Sequence, residues 1–246
     1  MAAPIVLIHG LFGHLQDSRI LDGFGGREVH APDLVGYGSL REEDTSSLTL
    51  DDQANRIARY VGEHDLERVN LVGHSVGGAV AILVASSFPE IVATLTSVEG
   101  NFTLEDAFSS AHLAMKPDEE VEEIIGEYRN DPDAWFAGAG VPINEWTQGL
   151  AVSWLNNQPP STIKAQAKAV VSATTPDTYL GTVKALLASD VAFNLIAGER
   201  SAASWHVPSW VRDQSTEQIT IAETGHLMMA EDPKAFAAAV IRCASR

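Results

Sequence analysis

The chain has 246 residues, 45% of them hydrophobic and 20% charged, which suits one globular domain with an insertion, or two small ones, around a sizeable core. Its formal charge of -17 argues against nucleic acid or an anionic membrane surface as a partner, because both need basic patches. The single cysteine, Cys243, leaves no disulfide framework and no thiolate metal site.

"MAAP" runs directly into the strand-like "IVLIH", with no room for a secretion signal. No apolar run approaches the roughly 18 residues of a membrane span. A soluble, cytoplasmic protein is therefore expected, and the Asn101-Phe102-Thr103 sequon carries no meaning in that setting.

Taken in chain order, Ile5–His9 is the first expected strand, and "IHGLFG" (8–13) forms the loop after it. Glu28–Ala31 is the second. Thr49 with Asp52 makes a capping-box pattern, after which Leu50, Ala54, Ile57 and Val61 share one helical face. Arg68–Val72 is the third strand, followed by "GHSVG" (73–77) and a helix from Ser75 to Phe88 that Pro89 ends. Val92–Val98 is the fourth. From Asn101 to about Ala185 the alternation stops. This stretch is acidic, with Val121, Ile124, Ile125 and Tyr128 at helix spacing and Pro132, Pro142 and Pro159-Pro160 as breaks. It is far too long for a loop, and a helical lid is expected at 102–185, inserted into a core of 1–101 and 186–246. Strands at Val191–Ala197 and Gln218–Ala222 follow. The last helix, Lys234–Cys243, carries a stripe of Phe236, Val240 and Ile241, with Cys243 as a small core residue. Apolar strands alternating with helices predict an α/β fold, a parallel sheet covered on both faces.

Ser75 stands in a strand-turn-helix setting as Gly73-His74-Ser75-Val76-Gly77, the G-x-S-x-G pattern that exposes a nucleophile on a sharp turn. Its hydroxyl needs a base to take its proton. His226, in "AETGHLMMAEDP", follows the last strand and is the candidate base. An oxyanion needs donors: the N–H of Val76, and one from the loop after the first strand, Leu11 being preferred over Phe12. His9 reads as a residue that fixes this loop, and His74 as structural.

Together with "APDLVGYGS" (31–39) and "GHLMMAEDP" (225–233), these motifs resemble the α/β-hydrolase fold superfamily. The chain starts at what resembles the third strand of that fold, so the resemblance implies a compact, mostly parallel six-stranded sheet. It also implies an acid after the penultimate strand, in a pattern like G-x-x-D, but this chain reads Gly198-Glu199-Arg200-Ser201 there. Some members, including certain haloalkane dehalogenases and zearalenone lactonases, carry the acid after the strand that follows the elbow helix. In this chain that position is Glu99. Glu99 is therefore the preferred acid of a Ser75-His226-Glu99 triad, with Glu199 as the rival and Asp190 a further option.

Serine as nucleophile speaks against the haloalkane dehalogenase and epoxide hydrolase chemistries, which use aspartate, and against the dienelactone-hydrolase type, which uses cysteine. Nothing in the motifs calls for a metal or organic cofactor. Phe12 and the lid's Trp135 and Trp154 are candidates to line an apolar pocket, with Trp146, Phe102, Phe108, Leu113, Met115 and Phe136 nearby in sequence and His112 a weaker candidate for substrate contact. The expected substrate is a neutral, small-molecule ester or lactone. The alternatives are a thioesterase, a carbon–carbon bond hydrolase, or a ligand-binding sensor on the same scaffold.

Overall fold

A computed structural model describes residues 2–245; the side chain of Phe108, one of the aromatics expected in a lid, lies outside the described residues. The six apolar runs form six strands: β1 (Ile5–Ile8), β2 (Val29–His30), β3 (Val69–His74), β4 (Val92–Val98), β5 (Ala192–Gly198) and β6 (Glu217–Ile221). They pair in the order β2-β1-β3-β4-β5-β6, and every pairing is parallel. Strands β1 and β3 are buried along their whole length, as strands covered on both faces must be, while the edge strand β6 alternates.

The pleat divides the core. Val6 and Ile8 join one apolar cluster, and Ile5 and Leu7 join the other. The first cluster takes in the buried faces of α2 (Leu50–Glu63) and α3 (Val76–Ser87). The second takes in α1 (Ser18–Asp22), together with Met228, Phe236 and Val240 from the C-terminal segment. Thr49 and Asp52 cap α2 reciprocally at 2.9 and 3.2 Å. Helix α3 is apolar on every side because the sheet, α2 and later helices enclose it.

Six helices lie between β4 and β5: α4 (Phe108–Met115), α5 (Asp118–Asn130), α6 (Pro132–Gly138), α7 (Glu145–Asn156), α8 (Pro160–Thr174) and α9 (Asp177–Leu187). Val121 and Ile125 bury the apolar face of α5 against α7 and α8. Helix α8 reaches down to α2 and α3. Helix α9 packs on α3 and β5, so it lies in the layer flanking the sheet. Three short elements follow: α10 (Ser209–Gln214) before β6, then α11 (Met228–Glu231) and α12 (Pro233–Cys243), where Cys243 is buried. Among the described residues no helix is long and apolar enough to cross a membrane.

Candidate active site

Parallel strands in one register end at one level, and that edge is where an open α/β sheet forms its crevice. His74 pairs with Val98, and Val98 with Ile196, so the residues following β3 and β4 are neighbours. The first is Ser75, at φ 53° and ψ −123°, a conformation that non-glycine residues avoid. Its N–H donates to the Val98 carbonyl at 3.0 Å and continues the ladder through the turn. Glycines make the turn possible: a Cβ at Gly73 would overlap the Gly77 carbonyl, and one at Gly77 would overlap the Ile8 carbonyl.

The second is Glu99, also at positive φ (41°), with its N–H on the Ile196 carbonyl at 3.0 Å. Its carboxylate is buried and fully engaged. Oε2 accepts from His226 Nδ1 at 2.7 Å, while Oε1 accepts from the Gly198 N–H at 2.9 Å and the Ser201 hydroxyl at 2.5 Å. Burial, the largest single influence, pushes the Glu99 carboxyl up. The hydrogen bond and charge of His226, with the Ser201 and Gly198 donors, outweigh it and hold Glu99 below its ordinary range. A carboxylate only accepts, so His226 Nδ1 is the donor of this bond, and in the neutral imidazole the free lone pair is then on Nε2. Glu199 is turned elsewhere: its Oε2 accepts the Glu223 N–H at 2.9 Å.

The loop that carries His226 is held from several sides. The Arg200 N–H donates to the Thr224 carbonyl at 2.9 Å, and its guanidinium reaches the Glu223 carbonyl, the Gly140 carbonyl and Glu231. Glu231 in turn accepts the Gly225 N–H at 2.9 Å. From the elbow side, His74 Nε2 donates to the His226 carbonyl at 2.9 Å. Burial, and the charge of His226, keep His74 neutral well below the usual histidine range. His74 is thus structural in a definite sense: it fixes the main chain of His226.

The loop after β1 is pinned through two successive carbonyls. His9 Nδ1 donates to Gly10 O, and the Tyr37 hydroxyl donates to Leu11 O, each at 2.9 Å. Peptide planarity then fixes the N–H groups of Leu11 and Phe12 as well. Gly10 lies against Ser75, where a Cβ would come within 3.1 Å of Ser75 Cβ. Val76 opens α3, so its N–H is one that a helix leaves without an internal acceptor.

Ser75 and His226 line one cavity of about 290 Å³, with Leu11, Phe12, Trp135, Trp154 and Leu227 in its wall. The Phe12 and Trp135 rings meet at 5.4 Å, and Trp135 stacks on the buried Phe136 at 5.0 Å. The other side chains named for the expected lid lie elsewhere. Trp146 donates to Asp17 at 3.1 Å, Phe102 packs on Phe193 and Trp205, and Met115 and His112 are exposed. The sequence reading missed the polar wall: Asn101, Asp106, Ser109 and Ser110. Only the place of Asn101, three residues beyond β4 at the carboxyl edge, could have drawn attention to it. A more polar recess of about 310 Å³ shares His226, Asp106 and Ser109 with this cavity. Three larger clefts, about 500, 480 and 370 Å³, are lined mainly by polar and charged side chains and contain none of the residues named for chemistry.

A family model described as "Alpha/beta hydrolase family" matches residues 5–239. "Lipase 3" of Moraxella sp. (strain TA144) is 31% identical over 98 residues, 39% of this chain and 31% of that protein. The "sn-1-specific diacylglycerol lipase ABHD11" of Danio rerio is 29% identical over 125 residues, 49% of this chain and 39% of its own length. The chain thus covers between about a third and two fifths of these relatives. A thermophilic esterase from Thermogutta terrifontis has a similar structure, with a TM-score of 0.73 at 20% identity over 98% of this chain and 89% of that one, a likeness of fold alone.

Proposed function

The chain belongs to the alpha/beta hydrolase family, and we propose that within it the protein is a serine hydrolase, cleaving a carboxylic ester or lactone of a neutral, largely apolar substrate through an acyl-enzyme. The observation that carries this reading is the 2.7 Å hydrogen bond from His226 Nδ1 to buried Glu99, beside a cavity that His226 shares with a serine on a strained turn.

Ser75 Oγ attacks the substrate carbonyl carbon while His226 Nε2 takes its proton, and Glu99 stabilises the imidazolium that forms. The N–H groups of Val76 and Leu11 receive the negative charge on the carbonyl oxygen. Leu11 is favoured over Phe12 because Gly10, its neighbour, lies against Ser75. The imidazolium then returns its proton to the departing alkoxide, and the C–O bond breaks. Water, its proton taken by His226, attacks the acyl carbon; the bond to Ser75 Oγ then breaks, the imidazolium returns the proton to Oγ, and the acid leaves. Helices α4, α6 and α7, which contribute to the cavity wall, serve as a cap over it, with Trp135 and Trp154 against the hydrocarbon part of the substrate. The carboxylates around the site, and the net charge, disfavour an anionic substrate.

A fluorophosphonate probe followed by intact-mass measurement tests the assignment. Wild type gains one adduct rapidly, and Ser75→Ala gains none. If wild type stays unlabelled, or both are labelled alike, the protein is instead a ligand-binding module on a hydrolase scaffold.

A further inference from the structure

Successive peptide units of the loop after β1 are each held by a side chain. His9 Nδ1 donates to Gly10 O and the Tyr37 hydroxyl to Leu11 O, both at 2.9 Å. Gln158 Oε1 accepts the Gly13 N–H at 3.2 Å, and Asn157 Nδ2 donates to Gly13 O at 2.9 Å. Tyr37, Asn157 and Gln158 come from outside the loop and are joined to one another, because the Gly38 N–H donates to Asn157 O at 2.8 Å. They are held in turn. The Tyr37 ring is fully buried and meets His9 edge-on at 4.6 Å, in a turn that Asp33 closes on the Ser39 N–H at 2.9 Å. Gln158 is fully buried in the connection between α7 and α8. Its Nε2 donates to Trp154 O at 3.0 Å, and its carbonyl accepts Arg129 Nη2 at 2.8 Å.

A trans peptide points its C=O and N–H in opposite directions, so carbonyls turned toward His9 and Tyr37 turn the Leu11 and Phe12 N–H groups away from them. Neither N–H has an acceptor among the described residues, and Gly10, Leu11, Phe12 and Ser75 line one cavity. The loop needs holding, because Gly10 and Gly13 (φ 81°) flank it and glycine changes conformation readily. Donors stabilise an oxyanion best when they are in place before the charge develops. We propose that Tyr37 and Gln158 are positioning residues of the hydrolysis, which hold this loop in the conformation that presents its free N–H groups to the carbonyl oxygen. This rests on the serine-hydrolase reading. It also gives the segment 31–39, which puts no residue in the cavity wall, its part in the chemistry: it carries the hydroxyl that sets Leu11 O. The connection between α7 and α8 likewise acts on the transition state, through Gly13.

The test measures p-nitrophenyl butyrate hydrolysis well below the melting temperature, together with inhibition by a butyl trifluoromethyl ketone. Ser75 Oγ adds to the ketone carbon as its proton passes to His226, and the oxyanion left on the ketone oxygen occupies the same hole. Tyr37→Phe removes one hydroxyl and keeps the ring, and Gln158→Met keeps the length and removes the acceptor. Each should lower kcat about tenfold with KM within about twofold of wild type, a fraction of the loss from deleting a donor outright. Ketone inhibition should weaken by about the factor by which kcat/KM falls. A variant that keeps kcat within about twofold of wild type, or loses kcat/KM through KM alone with ketone inhibition unchanged, overturns the role of that residue. If Gln158→Met does not fold, Asn157→Ala, at the half-buried neighbour that holds Gly13 O, takes its place under the same two criteria. The fluorophosphonate probe separates the two readings. A wild type that takes no label overturns the hydrolase reading and this role with it, whereas a labelled wild type with unaffected variants overturns the positioning role alone.

Discussion

The hydroxyl of Ser201 donates a 2.5 Å hydrogen bond to Glu99 Oε1, the oxygen that does not face His226. The loop after β5, where most of the family keeps its acid, thus touches the carboxylate that arrives from β4. An acid placed at 201 would lie close to the same imidazole. Glu99→Gln should lower kcat by about three to four orders of magnitude, since an amide cannot stabilise the imidazolium. Adding Ser201→Asp to that variant should recover about tenfold or more in steady-state ester hydrolysis. Ser201→Asp alone should be slower than wild type, because two adjacent carboxylates cannot both stay ionised cheaply. No gain in the double variant would mean that residue 201 cannot serve His226.

Glu199 gives the contrasting case. Its side chain accepts one backbone N–H, that of Glu223, and a glutamine oxygen can do the same. Glu199→Gln should therefore leave kcat within about threefold of wild type and shift unfolding by no more than about 0.5 kcal/mol. A loss approaching that of Glu99→Gln in the same assay would transfer the acid's role to residue 199.

The elements that position the site were legible because their signals are local. Uninterrupted apolar runs mark strands buried on both faces, and the glycines at 73 and 77 mark a turn with no room for side chains. Glu99 could be singled out as a candidate from its place after β4. What the sequence could not carry is direction. Nothing in "GERS" says that Ser201 turns toward Glu99 while Glu199 turns away, since both depend on how β5 and the histidine loop sit side by side. Asn101 and Ser110 escaped for a related reason: periodicity flags apolar faces, and a polar residue facing a cavity looks like one facing water. Likewise, α9 reads as one more helix of the insertion, and only its packing on α3 and β5 joins it to the sheet layer.

Acid should destabilise the fold through its buried histidines. Burial, opposed in part by the hydrogen bond to Gly10, lowers His9 from 6.5 to about 4, and His74 is lowered too. The unfolded chain therefore binds protons that the native state refuses, so stability falls as pH drops from about 6.5 toward 4. His9 alone accounts for about 3 kcal/mol of that fall. Below the ordinary range of a glutamate, the depressed Glu99 carboxyl adds to the loss as it becomes protonated. Asparagine at position 9 can keep a donor near the Gly10 carbonyl without titrating. Denaturant melts of His9→Asn should show a flatter dependence over this window than wild type, and parallel curves would mean that His9 takes up its proton without unfolding the protein.

Arg200 ties the helices between β4 and β5 to the loop that carries His226 through one guanidinium, which reaches Gly140 in the turn after α6, Glu223 beside the histidine loop, and Glu231 beneath it. The three acceptors are divided between the two terminal nitrogens of the guanidinium fork, Nη1 for Glu223 and Nη2 for Gly140 and Glu231, a span that the single nitrogen of lysine does not bridge. Glu231 is 4% exposed and Arg200 about half exposed, so losing the arginine strands a buried carboxylate while solvent softens the penalty. Arg200→Met should destabilise by about 1–2 kcal/mol and lower the melting temperature by a few degrees. It should also lower kcat about tenfold, because the loop that aims His226 Nε2 loses its outer support. Adding Glu231→Gln removes the stranded charge but does not rebuild the fork. The double variant should therefore regain most of the melting temperature and little of the turnover. If kcat returned together with stability, Arg200 would be holding the fold rather than the aim of the imidazole.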